Sequence, residues 1–439
     1  MKKIKLVLVI MLVMGSGACN KDDAPKIVNP DPIGQPDPDP DPDPTPQNQA
    51  PGAFGLLQIP DMDTDVSRLP TLSWEQATDP DGDVVTYDVY VDVVSEPSVM
   101  VATDLTTTTY DIEGELDIIR TYYWRVVAKD GKGAETASET FQFTTEGFER
   151  VVAITESGDF THVSKHESVV FEDKIWMLGG LVNSMAGPAA SNEVWHSSDG
   201  KIWMSFIKTP GEKFTECFFH EALVFKDKMW VIGNADGFSN EVWSSEDGNQ
   251  WQEITQISEF PVRGEHTVTV HNGKMYIIGG VTTGAVRLMD VWSSEDGSNW
   301  VEETSNPEFG PRSFHQVVSF KDNLWLIGGL SNDPGSAEKD VWNSVDGKTW
   351  TEVTTDGGFS ERSGHRVLAF DDRLWLIGGV GAGQNDIWTS QDGASWEDVT
   401  PAESYPFRQN FSSVYFEGKI WIIAGENGNE IRDDVWVFE

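Results

Sequence analysis

The sequence predicts an all-β chain, a β-sandwich followed by a β-propeller of six four-stranded blades, and three observations predict it. The skeleton Trp-x-Ser-x-Asp-Gly-x-x-Trp recurs from Trp195 to Trp203, Trp243 to Trp251, Trp292 to Trp300, Trp342 to Trp350 and Trp388 to Trp396. Upstream of each copy an apolar run ends in a glycine pair or its remnant: Gly179-Gly180, Gly233-Asn234, Gly279-Gly280, Gly328-Gly329, Gly378-Gly379 and Ala424-Gly425. These sites stand roughly 46 to 54 residues apart, the period of a four-stranded blade. Ahead of them, about 95 residues carry short strands with apolar residues at period two, the pattern of a sandwich.

The elements follow in chain order. Met1-Lys-Lys-Ile-Lys5 is a basic n-region and Leu6 to Met14 an apolar run too short to span a bilayer. Small residues lead from there into Cys19, so residues 1–18 are expected to be a signal peptide. The arrangement resembles a bacterial lipoprotein signal, which implies lipidation of Cys19. Ser16 stands where that family usually has leucine. Lys21-Asp22-Asp23 is similar to the tract that directs some such proteins to the exterior face of the outer membrane. Residues 19–50 are then a linker. Its alternating proline and aspartate favour polyproline II and self-repulsion, giving a spacer of up to about 90 Å at roughly 3.1 Å per residue.

Residues 51–147 contain the sandwich strands, among them Thr71 to Trp74, Thr86 to Val91, Tyr122 to Ala128 and Thr140 to Thr144. Trp74 on the second strand, and Leu116 six residues before Tyr122, resemble a fibronectin type III domain and its tyrosine corner. Such modules are spacers or binding arms. Asp79-Pro-Asp-Gly-Asp83 packs three carboxylates into five residues. They suit calcium or a turn, and the turn is the expectation because no complementary acidic cluster stands at a fixed spacing.

Residues 148–439 hold the repeats. Each begins with an aromatic (Phe160, Phe214, Phe260, Phe309, Phe359, Tyr405), and histidine follows six residues later at 166, 220, 266, 315 and 365, with Phe411 in the last unit. An acidic residue precedes Val/Ile-Trp at Glu193, Glu241, Asp290, Asp340, Asp386 and Asp434. The glycine doublet and spaced aromatics resemble the kelch repeat, with Trp where that family usually has Tyr. The last unit lacks a fourth strand, and Val151 to Thr155 matches Trp251 to Thr255 in register, so this strand is expected to close the ring. The repeating tryptophans and histidines are read as scaffold, the histidines as blade-to-blade hydrogen bonds.

What fails to repeat is left for function. The connections 181–192, 234–240, 281–289, 330–339, 380–386 and 425–433 are long, vary, and share one face. Arg263, Arg312, Arg362 and Arg408 share a register beside that face. They are candidates to bind a carboxylate or sulfate, or to pair with blade acids such as Asp340 and Asp386. As a ligand site, Arg312→Ala with Arg362→Ala is expected to abolish acidic-glycan binding with little change in melting temperature.

The net charge of −41 disfavours nucleic acid as a partner. Cys19 and Cys217 are the two cysteines, so no disulfide remains once Cys19 is lipidated, and Cys217 reads as a small buried residue. No cofactor, metal or catalytic residue is expected. The expected function is non-catalytic binding of a glycan or an extracellular protein by a monomeric surface lipoprotein. The alternative is a carbohydrate-active enzyme such as a sugar-acid mutarotase or epimerase, which some kelch propellers are, using the arginines. Copper-radical oxidases and sialidases are set aside for want of their tyrosines and Asp-box spacing.

Overall fold

The computed structural model describes residues 47–439 except 149, 156–159, 161, 185–186, 206–212, 235–237, 256, 333–335, 382–384, 403–404 and 429. The expected signal peptide, Cys19 and most of the linker lie outside the described residues. Those described are all-β, with no helix among them and hence none long and apolar enough to cross a membrane.

Alternation along the first strands builds two facing sheets. Leu56–Gln58, Thr71–Trp74 and Thr109–Asp111 form one; Asp63–Val66, Phe141–Thr145, Thr121–Lys129, Thr86–Asp92 and Met100–Leu105 form the other in that order, with Glu135–Ala137 beside Thr121–Lys129. Their inward residues, including Leu72, Trp74, Val89, Trp124 and Val126, are buried as one core. Tyr122 Oη accepts the Asp117 N–H at 3.0 Å, which pins the crossing between the sheets.

After residue 150 each repeat becomes one antiparallel sheet. Glu167–Phe171, Lys174–Ser184, Gly187–Ser197 and Met204–Ser205 form the first. The pattern returns in the sheets that begin at Glu221, Thr267, Gln316, Arg366 and Ser412. The leading strand of each lies beside the next, and Ser412–Phe416 lies beside Glu167–Phe171, so the sheets surround an axis. The last sheet takes its outer strand from the other end of the domain. Val151–Thr155 pairs with Glu430–Phe438, Val151 opposite Phe438 and Ala153 opposite Trp436. Glu253 occupies the same place opposite Trp243. An edge that would otherwise stay open is thereby covered.

The glycine pair has a steric reason. A Cβ on Gly329 would lie 2.6 Å from the His315 Cβ of its own sheet, and one on Gly328 3.0 Å from His365 Cε1 of the next. Gly179-Gly180, Gly279-Gly280 and Gly328-Gly329 are thus each wedged between two histidines, and at Gly378-Gly379 Phe411 takes the place of one of them. The pairing shifts register there and then continues, so 181–192, 281–289 and 425–433 are largely hairpin extensions rather than irregular loops. Leu181 pairs Ala190, Val281 pairs Arg287 and Glu426 pairs Ile431.

The Asp-Gly turns join neighbouring sheets. In the turn at Asp296, Ser294 Oγ accepts the Gly297 N–H at 2.8 Å, and Asp296 Oδ1 accepts from Ser298 and Asn299 at 2.8 and 2.9 Å. The turn glycine then lies flat on an indole of the adjacent sheet: a Cβ on Gly393 would stand 2.0 Å from Trp325 Cζ3, at φ +70. Gly393→Ala is therefore expected to cost about 3 kcal/mol, whereas Gly273→Ala, with nothing within 4 Å, should cost about 1 kcal/mol. Denaturant melts of the two variants side by side check this, and equal losses would refute the inter-sheet lock.

Candidate functional site

The four arginines are structural. Arg263, Arg312, Arg362 and Arg408 are 0, 4, 1 and 1% exposed. Each forks onto a carboxylate of its own sheet: Arg263 onto Asp290 at 2.9 and 2.7 Å, Arg312 onto Asp340 at 2.6 and 2.8 Å. Arg362 takes Asp386 at 2.7 and 2.9 Å, and Arg408 takes Asp434 at 2.7 and 2.9 Å. Each also donates to a backbone carbonyl at the glycine pair, for example Arg362 Nη1 to Gly378 O at 2.9 Å. The same carboxylates accept an indole N–H two residues on, as Asp386 does from Trp388 at 2.7 Å.

This corrects the expectation of an anion site. A ligand would have to displace a buried carboxylate to reach any of these guanidinium groups, and the double alanine variant cannot leave stability unchanged. A sequence signal for the pairing existed. Where the arginine register holds Val163 or Cys217, the acid is Glu193 or Glu241 rather than aspartate. Cys217 is 2% exposed and packs with Phe214 and Trp251, as a small buried residue should. Burial pushes its thiol well up, and Glu241 adds to the effect.

The histidines are scaffold, though by packing more than by hydrogen bonding. In this register His166 makes a short bond between sheets, Nε2 to Ser412 Oγ at 2.8 Å. The others sit near the carbonyl before the neighbouring glycine pair without reaching good hydrogen-bond geometry. Burial holds them neutral: His166 and His315 fall to about 3 and His220 to about 4, with His266 and His365 also well down.

What differs from sheet to sheet is the pair of residues flanking that histidine, and both line the central channel. The residue before it is Lys165, Phe219, Glu265, Phe314, Gly364 or Asn410, always in the left-handed region, as at φ 57 for Lys165 and 55 for Phe314. That conformation lets the backbone run as a hoop around the channel. Phe219 N–H donates to Lys165 O at 3.1 Å, Glu265 to Phe219 at 3.1 Å and Phe314 to Glu265 at 3.0 Å. Gly364 donates to Phe314 at 3.0 Å, and Lys165 to Asn410 at 2.9 Å. The side chains of this rim are half-buried. Phe219 and Phe314 meet edge to face at 5.0 Å, the Lys165 ammonium lies 5.0 Å over the Phe219 ring, and Asn410 donates to Glu426 at 2.6 Å. Burial raises the Glu265 carboxyl, which the Ser313 hydroxyl and Arg287 partly counter.

Below the rim come Glu167, Glu221, Thr267, Gln316, Arg366 and Ser412. Arg366 Nη2 donates to Glu167 Oε1 at 2.6 Å and its Nε to Phe411 O at 2.7 Å. Burial, and then the charge of Glu167, push the Glu221 carboxyl well up, so this level carries one ion pair and one carboxyl that burial drives toward its neutral form. One cavity is lined by both levels, by Lys165, Phe219 and Phe314 at the rim and by Glu221 and Arg366 below them. Apart from Glu265, these positions escaped sequence reading because their variety looks like drift. The usable signal was that they vary while the histidine between them does not.

The family model of the KLHDC2/KLHL20/DRC7 Kelch-repeats domain matches residues 165–379. No curated protein matches the chain. The Kelch-repeat match and the succession of sheets fit a kelch β-propeller, an architecture that mediates binding.

Proposed function

We propose that the protein is a surface-exposed, lipid-anchored binding protein whose six-bladed kelch propeller, carried on a fibronectin type III-like arm, takes an extracellular glycan or protein at the channel rim without catalysis. The observation that carries this is the break in periodicity at the rim. Conformation and backbone hoop repeat from sheet to sheet, while the side chains displayed there are Lys165, Phe219, Glu265, Phe314, Gly364 and Asn410. Two phenyl rings beside a carboxylate, an amide and an ammonium suit a partner with one apolar face and several hydroxyl or amide groups, which describes a sugar ring or a peptide tip. The short Asp-Gly turns of the opposite face display the same residue types in nearly every sheet and supply no such asymmetry.

The anchoring part of the reading rests on the basic start, the apolar run and Cys19. The mutarotase alternative loses its anion clamp, because the arginines it required are spent on Asp290, Asp340, Asp386 and Asp434.

A glycan array and cell-surface protein pull-downs with the folded protein test the site. Phe219→Ala with Phe314→Ala is expected to weaken binding of whatever is captured by about tenfold or more, with the melting temperature held within a few degrees. Capture that survives the double variant would move the site off the rim.

A further inference from the structure

The turn that joins Thr71–Trp74 to Thr86–Asp92 carries Asp79, Asp81 and Asp83. Turn formation accounts for half of its carboxylate chemistry: Asp79 Oδ1 accepts the N–H of Asp81 at 2.9 Å and of Asp83 at 3.1 Å. The other half is unaccounted for. Asp79 is 7% exposed, yet its Oδ2 is buried with no hydrogen-bond partner, and the same holds for Asp83 Oδ2. A carboxylate oxygen withdrawn from water requires a donor or a cation in its place. One oxygen from each of the three aspartates lies within 4.8 Å of the others. Oxygens sharing a calcium ion at about 2.3–2.6 Å stand that close.

The turn already attracts a cation. Lys132, on an arm between Gly131 and Gly133, places its ammonium 2.6 Å from Asp83 Oδ1, and its side chain is 58% exposed. Asp81 and Asp130 act on the same ammonium, so carboxylates outnumber the one positive charge. An exposed lysine can withdraw into water at little cost.

We propose that Asp79, Asp81 and Asp83 bind a calcium ion, with Lys132 as the occupant it displaces. The donor set is all oxygen, which favours a hard cation. A short turn that supplies carboxylates and leaves the remaining positions to water tolerates the irregular coordination of calcium better than the strict octahedron of magnesium. The ion would tie together the two ends of a turn that also holds Tyr87, whose Oη accepts the Ala77 N–H at 2.8 Å.

Calcium chloride titrated calorimetrically into the metal-stripped mature protein is expected to show saturable binding of one ion per chain, with magnesium binding more weakly. Asp79→Asn, which keeps an Oδ1 for the turn, should weaken calcium binding by about tenfold or more. Lys132→Ala should tighten it by removing the competing ammonium. Absence of saturable binding overturns the proposal, as does binding that neither substitution changes, since the ion would then be held elsewhere on this acidic chain. Should Asp79→Asn fail to fold, Lys132→Ala decides alone, because its exposed side chain supports no core.

Discussion

Arg362→Ala is expected to destabilise the propeller by about 3–5 kcal/mol, and Arg312→Ala by a similar amount. The magnitude comes from what is left behind. Removing the guanidinium strands Asp386, a carboxylate only 14% exposed that also orients Trp388, together with the Gly378 carbonyl. A buried unpaired carboxylate costs more than the pair ever contributed, so the loss should exceed that of any surface ion pair. Arg432→Ala is the matched control. Its partner Glu430 is 68% exposed, and the change should stay within about 0.5 kcal/mol. Denaturant melts of the three variants decide the matter. An Arg362→Ala protein as stable as Arg432→Ala would return the arginines to the list of available ligand groups.

The second large effect is acid lability centred on the histidine ring. Burial lowers His166 and His315 to about 3 and His220 to about 4 from an ordinary 6.5. A histidine whose folded value is depressed contributes stability that is fully present above about pH 6.5 and is lost as the pH falls toward the folded value. At about pH 5 each such ring withdraws about 2 kcal/mol. Glu221 and Glu167 act in the opposite sense. Burial raises both, so they favour the fold at low pH and oppose it as the pH rises. Several histidines outweigh these two, and the melting temperature should fall steeply between pH 7 and pH 5. Phe411 already fills the sixth place of the ring, so His315→Phe should fold and flatten that slope. A slope unchanged in His315→Phe would mean that the ring does not govern acid unfolding.

The contrast between what was legible in the sequence and what was not follows from the physics of repeats. A residue that recurs once per sheet announces its register, and register alone placed Val151–Thr155 opposite Glu430–Phe438. It does not announce a partner. Arg263 lies 27 residues from Asp290, and nothing in that spacing tells whether the guanidinium faces the acid or the channel. The exchange of Arg and Asp for Val163 with Glu193 and for Cys217 with Glu241 did carry the information, but only to a reader comparing the two registers together. The rim was illegible for another reason. Its left-handed backbone is imposed by the hoop of hydrogen bonds around the channel, so Phe219 and Phe314 sit in a conformation that local sequence would assign to glycine or asparagine.

The pairing of Val151–Thr155 with Glu430–Phe438 also sets a clock. Arg150 and Glu439 meet across 289 residues of chain, at 2.6 Å. As the polypeptide is made, the sheet that begins at Ser412 can gain its outer strand only after Glu430–Phe438 has been made, and Val151–Thr155 stays without that partner until then. A nascent chain is therefore exposed to mispairing of Val151–Thr155 for as long as Glu430–Phe438 is missing. Shortening the carboxyl end by a few residues should harm yield more than stability of the finished sheets alone would indicate.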